Sequence, residues 1–154
     1  MGRRSGKGQA VTPKATADAY WAWSLSVYGK PGVKDRLLAL QDQYLVEVNT
    51  TLWCIWVANR GWQLREEQVR KVVQSAQIFA AHGAEPIRSV RRFFSAKRPY
   101  LDDDERAAFR KMLLEAELEA ERLVQQALVH STLSAAGPPS PHPGKGHAED
   151  AAKH

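Results

Sequence analysis

Residues 37–61 read LLALQDQYLVEVNTTLWCIWVANRG, and the other predicted helices are expected to pack around this segment. Its second half, from Leu52 to Ala58, is apolar throughout. A helix that is apolar on every side has to be enclosed by protein, and this run is far shorter than the roughly 20 residues needed to cross a membrane. We therefore expect it to form a helix in the core of a small globular domain, enclosed by the rest of the chain or by a second copy.

The flanking segments also predict helices. Asp18 is a suitable N-cap for a first helix that ends at Gly29, and the last helix is expected from about Asp103 to His130. A break at residues 82–86 is predicted by Gly83 and Pro86. The chain is therefore predicted to be all-α, a compact bundle of about five to six helices around the buried central helix, with disordered termini.

Apolar spacing indicates which face of each helix is buried. The second helix has a stripe at Val33, Leu37, Leu40 and Tyr44. The fourth has one at Val69, Val72, Val73, Ala76 and Ala80. After the break, Ile87, Val90 and Phe94 are expected to face inward, and the last helix repeats Phe109, Leu113, Ala116, Ala120, Leu123 and Ala127.

Composition divides the 154 residues into three parts. Residues 1–16 are basic and almost without bulky apolar side chains, and residues 134–154 are rich in Pro, Gly and His, so both are predicted to be disordered. A single helical domain is expected at 17–133. Histidines 142, 147 and 154 give only a weak metal signal because no ordered Cys or carboxylate accompanies them, and no metal site or cofactor is predicted.

The charge is unevenly distributed along the chain. The net charge is +5, yet residues 102–134 carry eight acids against four bases.

The cysteine content favours a protein of a reducing compartment. Cys54, the only cysteine, lies in the apolar run and is expected to be a small buried hydrophobic residue. The N-terminus does not resemble a secretory signal, so a cytoplasmic location is expected.

Two polar groups are candidate sites. The first comprises Gln41, Asp42, Glu47 and Asn49. Asn49 or Glu47 is expected to accept hydrogen bonds from the open amides at the start of the central helix, with catalysis as the less favoured alternative because no histidine or reactive serine motif is near. The second is a basic stripe expected to bind a partner or an anion, or else to pair with Glu115, Glu117, Glu119 and Glu121; its members are Arg88, Arg91, Arg92, Lys97 and Arg98.

Some apolar residues lie on second faces of their helices. They are Trp23, Val27, Leu114, Leu118 and Val129. A surplus of this kind is typical of an interaction surface, although a compact bundle could also bury all of them.

Several short motifs resemble a family of small bacterial proteins classed as a domain of unknown function. The residues that carry the resemblance are 20–28 (YWAWSLSVY), 31–33 (PGV), 40–42 (LQD), 48–49 (VN) and 86–92 (PIRSVRR). The resemblance implies no activity. Members have Gly where this chain has Leu45 and Asp where it has Glu47, and the first difference argues against a left-handed helix end at Leu45.

Three functions remain open. A non-enzymatic helical module that binds a protein partner or itself is favoured. The alternative is an anion- or nucleic-acid-binding protein that uses Arg88, Arg91 and Arg92, although no helix-turn-helix, RNA-binding signature or phosphate loop supports it. An enzyme of unrecognised type comes third, because the sequence contains no catalytic triad, metal-ligand set or glycine-rich loop, and no catalytic residue is predicted.

Overall fold

A computed structural model describes residues 12–139. The predicted disorder of the N-terminal arm and of the tail falls largely on residues outside this range. The described part consists of six α-helices and one π-helical turn, without a strand: α1 Pro13–Tyr28, α2 Val33–Tyr44, α3 Val48–Asn59, α4 Glu66–Phe79, the π turn Ala80–Ala84, α5 Glu85–Phe93 and α6 Asp103–Ala136. The predicted all-α bundle is confirmed.

Helix α6 is the axis of the bundle. Its 34 residues extend over about 50 Å. The segment α4–π turn–α5 runs antiparallel along one flank, because Gln68 Nε2 donates to the Ala135 carbonyl (2.7 Å) while Arg88 Nε donates to Glu117 Oε1 (2.9 Å) near the other end. Helix α1 packs on another flank and α3 also contacts α6, whereas α2 contacts α1 and α3.

The core is built on aromatic side chains. Tyr20, Trp53 and Trp56 are buried, with ring centroids of Tyr20 and Trp56 5.0 Å apart. Trp62 packs against Trp56 at 5.1 Å, directly after Gly61, which adopts the left-handed conformation (φ 82°) at the end of α3. The predicted core positions of Trp53 and Trp56 are therefore confirmed, and Trp62 closes the end of α3.

The chain alone does not enclose residues 52–58 completely. Leu52, Trp53, Trp56 and Val57 form the buried face of α3, while Cys54 is exposed and Ile55 is 43 % exposed. Cys54 is thus not the buried hydrophobic residue that was predicted. Cys54 lies beside the exposed Ile55, on the side of α3 that faces away from the buried Leu52, Trp53, Trp56 and Val57.

Three helix ends differ from the sequence prediction. Helix α1 begins at Pro13, where the Thr12 hydroxyl accepts from the Ala15 amide (3.2 Å), so Asp18 lies inside the helix and residues 13–16 belong to the domain. Helix α6 continues past His130 to Ala136 and ends at Gly137. Leu45 does adopt the left-handed conformation (φ 55°) despite its branched side chain, and its amide donates to the Gln41 carbonyl at 2.8 Å.

The buried faces of three helices also differ from prediction. In α2 only Leu37 is buried, and Leu40 and Tyr44 are exposed. In α5 no residue is fully buried and Val90 is exposed, because arginines occupy the side that faces α6. The buried face of α6 shares only Val129 with the two apolar stripes, lies mainly between them and consists of Glu117, Val124, Gln125, Leu128, Val129 and Thr132.

Within residues 12–139, no helix is long and apolar enough to span a membrane.

Candidate functional site

A cleft of about 860 Å³ lies beside α6, in the space between α5 and the ends of α1 and α2. Its walls are apolar: Trp21, Leu25 and Tyr28 come from α1, Leu38 and Leu45 from α2 and the residue after it, and Leu114 and Leu118 from α6. Its floor is polar and is formed by side chains of α1, α3, α5 and α6. A concave apolar surface with a few convergent polar groups is typical of a binding site.

The cleft exists because the helices around α6 differ in length. The segment α4–π turn–α5 follows one flank of α6 over 28 residues, from Glu66 to Phe93. Helix α1 has only 16 residues; it meets α6 where Ser24 contacts Gln125 and ends one turn later at Tyr28. Beyond that point this flank of α6 is uncovered, and Leu118 is 50 % exposed.

A continuous hydrogen-bonded network forms the floor. The Ser24 hydroxyl donates to Gln125 Oε1 (3.0 Å), and Gln125 Nε2 donates to Asn49 Oδ1 (2.9 Å). Asn49 Nδ2 in turn donates to Glu121, which also accepts from Arg88. The Asn49 carbonyl accepts from the Tyr20 hydroxyl at 2.9 Å, so the network is anchored to the aromatic core.

Arginines of α5 extend the network along α6. Arg88 Nε donates to Glu117 Oε1 (2.9 Å), and Arg88 also pairs with Glu85. Arg91 donates to both carboxylate oxygens of Glu117, which is buried. These contacts join α5 to α6 through charge-assisted hydrogen bonds rather than through an apolar seam.

The carboxyl groups of the floor have pKa values shifted in opposite directions. Burial raises the pKa of Glu117, but the hydrogen bonds from Arg91 and Arg88 outweigh it and the pKa lies below its usual range. Burial raises the pKa of Glu121, and the nearby charges of Glu117 and Glu47 add to this effect against the opposing influence of Arg88 and Asn49. Burial, with the charge of Glu85, also raises the pKa of Glu47.

The cleft brings together residues that belong to three separate predictions. The polar cluster Gln41, Asp42, Glu47 and Asn49, the bases Arg88, Arg91 and Arg92, and the leucines Leu114 and Leu118 all line it. Lys97 and Arg98 lie elsewhere: Lys97 pairs with Asp103 at 2.7 Å, and the Arg98 guanidinium lies 4.0 Å from the Phe93 ring centroid.

Three expected interface residues are not available. Val129 is completely buried, and Trp23 and Val27 are partly buried against the core. At these three positions the alternative holds, since the bundle buries Val129 and packs Trp23 and Val27 against its core.

The expected capping role of the polar cluster is also wrong. Glu47 occupies the N-cap position of α3, but no side chain caps that helix end. The Asn49 side chain binds Glu121 and Gln125 of α6 instead. Asn49 therefore connects the start of α3 to the floor of the cleft.

Gln125, Ser24 and Trp21 line the cleft although the sequence did not single them out. Gln125 carries a usable signal, since it is a polar residue on the same side of α6 as Val124 and Leu128. Among the described residues, no group of three or more His, Cys, Asp or Glu side chains is placed to hold a metal ion.

The raised pKa of Glu121 predicts a pH-dependent effect of Glu121→Gln. A carboxyl group with a folded-state pKa above its unfolded value contributes stability when protonated, and this contribution is lost as pH rises through the folded pKa. The variant stays neutral at every pH. In thermal melts from pH 4 to pH 7, the melting temperature of the variant minus that of the parent should therefore increase as pH rises. A decrease in this quantity would contradict the raised pKa of Glu121.

A model built for a protein family of unknown function, DUF2390, matches residues 19–128 and thus covers most of the domain and the cleft. The chain belongs to this family. Neither the curated proteins nor the solved structures contain a match to the chain. Membership of the DUF2390 family brings no process or partner, so a function has to be argued from the cleft itself.

Proposed function

We propose that this DUF2390 protein is a non-enzymatic interaction module that binds a segment of a partner protein in the cleft. The observation that carries the proposal is the uncovered flank of α6. Leu114 and Leu118 are 39 % and 50 % exposed there, and Leu25 faces them with 52 % exposure. Exposed apolar patches of this kind mark interaction sites, because covering them removes apolar surface from water.

The dimensions of the flank suit a short protein segment. The residues of α6 that line the cleft extend from Leu114 to Gln125, which corresponds to about 18 Å or roughly three helical turns. A helix or extended peptide of that length would contact Leu114 and Leu118 on one side and Leu25 on the other. This resembles the seating of an amphipathic helix in an apolar groove.

Anion or nucleic-acid binding by the basic stripe has less support. Arg88 and Arg91 already pair with Glu117, and Arg88 also pairs with Glu121. An anion approaching them would meet these carboxylates. Arg92 is the one cleft arginine that forms no ion pair within residues 12–139, and a single exposed guanidinium is a weak phosphate site.

Leu118→Glu tests the proposal against a matched control. Both Leu118 and Leu123 lie on α6 and have similar exposure, but only Leu118 lines the cleft. Placing a charge at the contact should reduce recovery of the partner more than tenfold, since it adds the desolvation of a carboxylate to the loss of a leucine contact. Leu123→Glu should leave recovery unchanged. The measurement is affinity purification of each full-length variant from the native host, with quantitative mass spectrometry and a nucleic-acid assay on the same eluate.

Loss of the partner with Leu123→Glu but not with Leu118→Glu would place the interface on the opposite flank and contradict the proposal. Recovery of nuclease-sensitive material that disappears with Arg92→Glu would favour nucleic-acid binding instead.

A further inference from the structure

We infer that the segment seated in the cleft is an amphipathic helix of a partner protein that presents lysine or arginine side chains to the cleft floor. The inference rests on the proposed function, because it names the chemistry of the partner for the same cleft. Three points support it: the floor is acidic, the walls are apolar, and a long basic side chain has a charged head and an apolar stem that can contact both.

The floor has more carboxylates than cations. Arg88 pairs with Glu85, Glu117 and Glu121, and Arg91 pairs with Glu117 as well. Glu47 lines the same cleft and forms no ion pair among residues 12–139. Four carboxylates therefore face two guanidinium groups, and when all are ionised the floor lacks two positive charges.

With Asp42, Lys34 and Arg92 included, the cleft is lined by five carboxylates and four cations, so it keeps one negative charge in excess. Lys34 and Arg92 also line the cleft, but neither pairs with a floor carboxylate. The raised pKa values of Glu47 and Glu121 agree with this arrangement, since burial and neighbouring carboxylates disfavour their ionised forms. A cation placed near Glu47 would relieve this repulsion, whereas a carboxylate would increase it.

The walls select a particular kind of cationic group. A side chain that enters between Leu38 and Leu118 has to pass an apolar wall before it reaches the floor. Lysine and arginine have an apolar stem and a charged head, so the stem can contact the leucines while the head meets the carboxylates. On a helix, leucines at positions i, i+4 and i+7 would cover the walls, and basic residues beside that ridge would point to the floor.

Two synthetic peptides provide the test. Both have 14 residues, capped ends and the same leucine ridge; lysines flank the ridge in one and glutamates in the other. Binding to the full-length protein is measured by fluorescence anisotropy at 0.15 M salt, where longer-range charge effects are screened. We expect the lysine peptide to bind at least tenfold more tightly, although the net charge of the protein is +5 and would favour the glutamate peptide.

Two carboxylate variants distinguish attraction of the lysines to the cleft floor from attraction to acidic groups elsewhere on the protein. Glu47→Gln should weaken binding of the lysine peptide about three- to tenfold, in line with the loss of one partly buried ion pair. Glu115→Gln removes the same charge from an exposed position of α6 outside the cleft and should leave affinity unchanged. Equal effects of the two variants would overturn the inference, since attraction would then be non-specific.

The outcomes distinguish the inference from the proposed function. Tighter binding of the glutamate peptide, or no binding of either peptide at millimolar concentration, overturns the inference. Binding of either peptide that Leu118→Glu does not weaken overturns the cleft as the docking site. A concentration-dependent dimer in sedimentation that Leu118→Glu dissociates would identify a second copy as the occupant and would also overturn the inference.

Discussion

Trp56→Ala is expected to lower the free energy of unfolding by about 3–5 kcal/mol, the usual cost of truncating a buried tryptophan. The Trp56 side chain is 2 % exposed and lies between Tyr20 and Trp62, with ring centroids 5.0 and 5.1 Å away. Removing the indole would leave a cavity that joins three helices and a loop. Because small domains are stable by only about 5–15 kcal/mol, the variant should unfold at a much lower urea concentration and a much lower temperature than the parent.

Ile55→Ala is the matched control. Ile55 precedes Trp56 in the same helix but is 43 % exposed, so its truncation should cost about 1 kcal/mol or less. Similar losses in the two variants would show that α3 is rotated from the position described above.

Arg91→Glu is expected to destabilise the fold by about 3 kcal/mol, at the low end of the cost of breaking a buried ion pair. The change removes the donor that contacts both oxygens of Glu117 and brings a second carboxylate next to it. Glu117 is buried and keeps only the hydrogen bond from Arg88, so water restores the lost hydrogen bonds only in part. The free energy of unfolding from urea titration at pH 7 is the measurement.

Arg92→Glu is the control for that experiment, because Arg92 is exposed and forms no ion pair within residues 12–139. Its stability should stay within about 0.5 kcal/mol of the parent. The two adjacent arginines therefore have different roles, and only the reversal of Arg92 tests recognition without disturbing the fold. Equal stability losses in both variants would argue against the Arg91–Glu117 pair.

The sequence predicted the type and approximate position of every helix because apolar periodicity and helix breakers are local signals. It could not predict the orientation of α3, since Leu52 to Ala58 is apolar on all sides and gives no face to distinguish. The start of α1 was missed because Asp18 is a plausible cap, yet the Thr12–Pro13 pair provides a hydroxyl cap and a proline in the first turn.

Helix α6 shows why apolar periodicity alone was insufficient. One apolar stripe was predicted to be buried and the other to form a possible interface, but most of the buried face lies between them and includes Glu117 and Gln125. These polar side chains are buried because Arg88, Arg91, Ser24 and Asn49 satisfy them across long sequence separations. Such pairings depend on tertiary structure, so no local pattern reveals them.

The site was predicted in pieces. Glu47 and Asn49, Arg88 and Leu118 were each singled out, but nothing in the sequence placed them in one cleft. Their meeting depends on α1 ending at Tyr28 while α6 continues, which is a difference in helix length rather than a motif. The capping role expected for Asn49 was wrong because its partners lie on α6, more than 70 residues away in sequence.

Methyl NMR of the full-length, leucine-labelled protein shows directly whether the uncovered flank of α6 is the docking site. The lysine-flanked peptide is added stepwise and the leucine methyl shifts are followed. We expect the changes to concentrate at Leu25, Leu38, Leu114 and Leu118, with Leu101 and Leu123 unaffected. Changes centred on Leu123, with the cleft leucines unmoved, would contradict this expectation.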